Sequence, residues 1–129
     1  MTLRLTLFFT AFITLAIVHL AAVRFFLYWK YLWLDIPMHA LGGAVVMLGL
    51  FILPFFRIAL PARLSSFSGS LALVLLVGVL WELFEVAFGL SLPPGSHESY
   101  AADTLTDLVM DLMGGAAGYL VAKSTYHLS

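Results

Sequence analysis

Apolar residues run through this chain in four long blocks, about 5–23, 38–56, 70–90 and 104–122, and most polar residues lie between the blocks or at their ends. Each block is near the roughly 20 residues a helix needs to cross a bilayer core. The runs are continuous instead of alternating, and too long for barrel strands, so the pattern predicts helices. Four helices and three short loops use up residues 1–129. The expectation is an all-α integral membrane protein: one transmembrane domain, folded as an up-down four-helix bundle.

Composition agrees. With 63% hydrophobic and 10% charged residues, and a mean hydropathy of +1.07, the chain is far too apolar for a soluble domain of this size. Arg4 before an apolar run resembles a signal peptide, but that run is long for one and reads as a retained helix. The absence of cysteine excludes disulfides, thiolate nucleophiles and cysteine-based zinc sites. A formal net charge of −1 argues against nucleic acid as a partner.

The informative residues are those that break the apolar pattern. Asp103, Asp107 and Asp111 recur every four residues, so on a helix they form one stripe, which Gly114 and Gly118 continue. Glu82 and Glu85, three apart, are neighbours on the third helix. Asp35 and His39, four apart, share a face of the second helix if that helix includes Asp35. Asp35 also reads as an N-cap ahead of Pro37, and Asp103 as a cap ahead of Thr104. Pro54 ends or kinks the second helix. Thr6, Thr10 and Thr14 form a stripe expected to bond back to carbonyls or to meet another helix. Arg24, Tyr28, Trp29, Lys30, Tyr31 and Trp33 read as anchors at the membrane–water boundary.

Arg4, Arg57, Arg63 and Lys123 fall on one side of an up-down bundle and only Arg24 and Lys30 on the other. The bias of basic residues toward the cytoplasm then puts both termini there, with the protein in a bacterial inner membrane. The same topology gathers Asp35, Glu82, Glu85, Asp103, Asp107 and Asp111 at the outer end, with His39 and His19 at that level and His97 and Glu98 in the loop above. An internal repeat sharpens this. Residues 35–44 (DIPMHALGGA) align without gaps on 107–116 (DLVMDLMGGA), sharing the aspartate, the methionine and Gly-Gly-Ala. A shift of 72 residues spans an even number of helices, so the repeats would run parallel, with His39 matched to Asp111.

Ionised carboxylates inside a bilayer cost on the order of 2.5–3.5 kcal/mol each. Either some carry protons or a cation sits among them. Carboxylate-rich ligation with one imidazole suits a hard divalent ion, Mg²⁺, Mn²⁺ or Ca²⁺, with Zn²⁺ a softer option. Asp35, His39, Glu82, Asp107 and Asp111 are the candidate ligands.

Taken together, Asp35-x-x-x-His39-x-x-Gly-Gly, Trp81-Glu82-x-x-Glu85 and Asp107-x-x-x-Asp111-x-x-Gly-Gly resemble the YjdF-like group of small bacterial membrane proteins and, more distantly, the VanZ-like proteins. The resemblance covers helices two to four and implies a polytopic inner-membrane protein with a shared acidic cluster, but no particular activity. The aspartate stripes are also similar to those with which prenyl transferases and CDP-alcohol phosphotransferases hold Mg²⁺, although the further signature motifs of those enzymes are absent.

The leading functional expectation is a metal-dependent hydrolase or transferase acting on a membrane lipid. Glu85 or His19 would be its general base and an ion-bound water its nucleophile. The alternatives are a proton or cation transport element, which four helices could form only as a homo-oligomer, and a non-catalytic membrane component.

Overall fold

The computed structural model describes residues 3–90 and 99–125; His97 and Glu98 lie outside the described residues. No strand is present among them. Four helices are long and apolar enough to cross a membrane. They are α1 (Leu3–Arg24), α3 (Asp35–Ile52), α5 (Phe67–Phe88) and α6 (Tyr100–Ser124). Two single turns, α2 (Leu27–Lys30) and α4 (Ala62–Ser65), belong to the connections.

Helix boundaries differ from the apolar blocks because local hydrogen bonding sets them. A 3₁₀ turn, Leu32–Leu34, runs directly into α3, so Asp35 is the first helical residue. Leu34 takes the cap position and no side chain caps there, which corrects the reading of Asp35 as an N-cap. Its carboxylate is turned toward His39 instead, at 3.7 Å one turn on. Likewise Ser99, not Asp103, caps α6: its hydroxyl accepts from the Ala102 N–H at 3.2 Å. Asp103 sits in the first turn. Ser66 does the same for α5, accepting from Gly69 N–H at 3.1 Å. At the other end of α5, Gly89 adopts φ 66°, a left-handed closure for which glycine carries no Cβ penalty. Pro54 ends α3 as expected, in a 3₁₀ turn over Leu53–Phe56.

The centre of the bundle is the pair α3–α6, its most extensive interface. Contacts step along both helices in the same direction, from His39 on Asp111 through Gly118 on Ala44 to Phe51 on Tyr119. The two helices are therefore parallel, and the two matched segments of sequence meet face to face. Glycine makes this approach feasible: a Cβ on Gly43 would fall on the Asp111 carbonyl, and one on Gly114 on the Ala40 carbonyl. Lipid tails are as apolar as leucine, so such close backbone packing is the main source of helix association in a bilayer.

Helix α1 packs on α3, and α5 packs on α6 and α3. The half of the bundle near the start of α1 buries mainly apolar side chains, Met47, Leu48, Ile52, Val74 and Ala122, together with the polar Arg4, Ser70 and Thr125. Large apolar side chains such as Ile17, Leu20, Leu83, Leu105 and Leu120 face outward, as lipid contact requires. Thr6, Thr10 and Thr14 are also exposed, so their stripe is not a buried helix–helix seam.

Candidate metal centre

His39 is the hub. It enters from the first turns of α3 and is 5% exposed. Its Nδ1 pairs with Asp111 Oδ1 of α6 at 3.2 Å. Its Nε2 faces three further carboxylates: Asp35 Oδ1 at 3.7 Å, Glu82 Oε1 at 3.8 Å and Asp107 Oδ2 at 3.9 Å. Three helices thus deliver one imidazole and four carboxylates to one small volume. The periodicities explain the convergence: Asp35 and His39 share a face of α3, and Asp107 and Asp111 share one of α6.

The distances on the Nε2 side are informative. They exceed the 2.7–3.2 Å of a hydrogen bond. They are also shorter than the ~4.0–4.4 Å reached by two metal–ligand bonds of roughly 2.0–2.2 Å laid end to end. An ion between His39 Nε2 and any one of these carboxylates fits such a separation in a bent arrangement. Glu82 Oε1 and Asp107 Oδ2, the atoms facing Nε2, are buried with no hydrogen-bond partner, and so is Asp111 Oδ2. The three residues are 5%, 2% and 6% exposed. A buried polar atom without a partner costs about 1–3 kcal/mol, and more when charged, a cost that either a bound cation or protons on the carboxyls would relieve. Two sets of ligand atoms lie within 4.8 Å of one another, Asp35–His39–Asp107 and His39–Glu82–Glu85, and could hold a metal ion. His39 belongs to both.

Asp111 is placed differently from the other carboxylates. It stands on the Nδ1 side of the ring, between the small surfaces of Gly42 and Gly78, and a Cβ on Gly78 would strike its Oδ2. A carboxylate bound to the ring nitrogen that faces away from the metal is the usual partner of a metal-ligating histidine.

Glu85 lies one turn beyond Trp81 and accepts from its indole N–H at 2.9 Å. His19, near the end of α1, has its Nδ1 2.9 Å from the Tyr28 hydroxyl and its ring edge-on to Trp81 at 5.3 Å. It therefore flanks the cluster without belonging to either set of ligand atoms. Asp103, half-buried one turn before Asp107, is also outside both sets.

Three contributors were not assigned a place in the site from the sequence. Thr104 donates its hydroxyl to Glu82 Oε2 at 2.8 Å and so orients that carboxylate. Tyr28, which reads as an interfacial anchor, turns inward onto His19, and burial followed by the nearby Asp35 and Glu85 charges raises its phenol pKa. Trp81 fixes Glu85. Of these, only the Trp81–Glu85 pair carried a signal, its i, i+4 spacing.

Fold and site together define a polytopic α-helical membrane protein with a buried imidazole–carboxylate cluster that could hold a metal ion. Over residues 1–127 the chain matches the family described as predicted membrane protein (DUF2238), and it belongs to that family. No curated protein and no solved structure matches it.

Proposed function

We propose that the chain is a membrane metalloprotein that binds a divalent ion through His39 Nε2, Asp35 and Asp107, with Glu82 facing the same nitrogen from α5, and acts as a hydrolase or transferase on a lipid. The observation that carries this is the set of buried, unpartnered carboxylate oxygens facing one imidazole nitrogen. With Nδ1–H donated to Asp111, the Nε2 lone pair is left for the ion. Asp111 is then an orienting carboxylate and not a ligand. The oxygen-rich set favours Mg²⁺ or Mn²⁺, and the imidazole brings Zn²⁺ within range.

In this reading the ion polarises a phosphoryl or carbonyl oxygen of the lipid head group and lowers the pKa of a bound water. Glu85, beside Glu82 and held by Trp81, takes the proton of that water. His19, paired with Tyr28, is the second candidate for this role. The motifs that resemble the YjdF-like group coincide with the residues of the cluster. Positive charge at the opposite end, from Arg57, Arg63 and Lys123, supports cytoplasmic termini and a site in the outer half of a bacterial inner membrane. Among the described residues the half of the bundle beyond the cluster buries Arg4, Ser70 and Thr125 but no acidic side chain, which supports a site over a transmembrane cation path.

Elemental analysis of protein that has been stripped with chelator, reloaded with Mn²⁺ and desalted tests the reading. About one equivalent is expected in the wild type, with a loss to background in His39→Gln and Asp107→Asn. A wild-type protein that retains none under any divalent ion overturns it.

A further inference from the structure

The space beside the cluster is larger than an ion needs. A cavity of about 360 Å³ lies between α1, α3 and α5, within the roughly 300–1,000 Å³ range of sites for small molecules. It exists because α1 and α5 both lean on α3 without packing closely along each other. Its walls are Phe12, Leu15 and Ala16 on one side and Val74 and Val77 on the other, all apolar. Only one end is polar, where His19, Tyr28, Asp35, His39 and Glu85 line it.

Two features say what this shape accepts. Phe12 and Val77 line the cleft yet are 48% and 43% exposed, so the cleft opens on the outer surface of membrane-spanning helices. Its length is that of one leaflet. From Glu85 back to Val74 is eleven residues of helix, ~16 Å at 1.5 Å per residue, against ~15 Å for half of a 30 Å hydrocarbon core. Such apolar walls suit a hydrocarbon chain better than a polar solute.

We propose that the cleft between α1 and α5 holds one hydrocarbon chain of a lipid from the leaflet at the cluster's end, so that the polar group next to that chain is delivered to His39 and its carboxylates. This names the substrate class of the proposed metal centre, and it rests on that reading for what happens to the polar group. A head group bearing phosphate would meet mostly carboxylates in the bare site, beside His39, His19 and Tyr28. The ion is what makes its approach favourable, while the chain is held by the cleft itself.

The test uses the full chain reconstituted in phosphatidylcholine vesicles containing a phosphatidic acid with a diazirine midway along one acyl chain. After photolysis, labelled residues are located by peptide mass spectrometry, and metal content is measured on the same samples. Labelling of Phe12, Leu15, Ala16 and Val77 is expected several-fold above that of Leu105, Met113 and Leu120 on the outer face of α6. Ala16→Phe and, from the opposite wall, Val77→Trp should each fill the cleft and bring labelling down to the α6 level with metal content unchanged. Equal labelling of the cleft and α6 in the wild type overturns the proposal, as does cleft labelling that survives both variants. Cleft labelling in protein that retains no metal supports the cleft and overturns the metal reading alone.

Discussion

His39 makes sense only with its neighbours. An imidazole has two nitrogens, and here one has a partner at hydrogen-bonding distance while the other faces three carboxylates at 3.7–3.9 Å, too far for a hydrogen bond and near enough to share an ion. The roles of the acids separate accordingly. Asp111→Asn keeps the side chain's size between Gly42 and Gly78 but weakens its hold on Nδ1–H. Such outer partners typically contribute 10–100-fold in metal affinity, so Mn²⁺ titration of this variant should show a loss of about that size with binding still saturable. A variant that binds no Mn²⁺ would make Asp111 a ligand. At this scale the sequence was partly legible. Asp35, His39, Glu82, Asp107 and Asp111 stand out because each interrupts an apolar run, and an up-down chain carries all of them to one end. Thr104 and Tyr28 do not stand out. A threonine in a first turn and a tyrosine in an interfacial loop are ordinary there, and their partners come from a different helix.

At the scale of elements, α3 and α6 are held by backbone proximity. The matched segments 35–44 and 107–116 were legible as a pair, and their glycines pointed to close approach. What the spacing could not show is the register: Gly43 lies on the Asp111 carbonyl and Gly114 on the Ala40 carbonyl. That register sets the His39–Asp111 pair as a by-product, because Ala40 and Gly43 follow His39 by one and four residues, about one turn. Gly114→Val should therefore push the helices apart at the site. Overpacking costs typically 1–3 kcal/mol, to be read as a lowered unfolding midpoint in detergent, and Mn²⁺ binding should fall as well even though no ligand is altered. Unchanged midpoint and binding would mean that the interface tolerates a wider spacing. The helix starts were the least legible feature. Ser99 and Ser66 serve as caps from loops where serine is common, and the 3₁₀ turn before Asp35 continues into α3 without a cap signal.

At the scale of the whole molecule, one half of the bundle is packed and mainly apolar, with Arg4, Ser70 and Thr125 its buried polar residues, and the other half is polar and concave. The packed half supplies rigidity to α3 and α6 where they carry His39, Asp107 and Asp111. The polar half has carboxylates facing one another, a repulsion that the proposed cation would relieve. Stability should consequently depend on metal. Mn²⁺ held at ~100 times its Kd should stabilise the protein by about 2.7 kcal/mol through mass action, seen as a rise in melting temperature that EDTA reverses. A melting temperature indifferent to Mn²⁺ would place no ion at the cluster.

The proposed entry of lipid between α1 and α5 would have a kinetic consequence. A site reached sideways through the hydrocarbon region meets its substrate by two-dimensional diffusion, so the quantity that governs its saturation is the number of lipid molecules per unit of surface. Diluting vesicles with buffer would leave turnover per protein unchanged. Diluting the substrate with inert lipid, at the same total amount in the tube, would slow it.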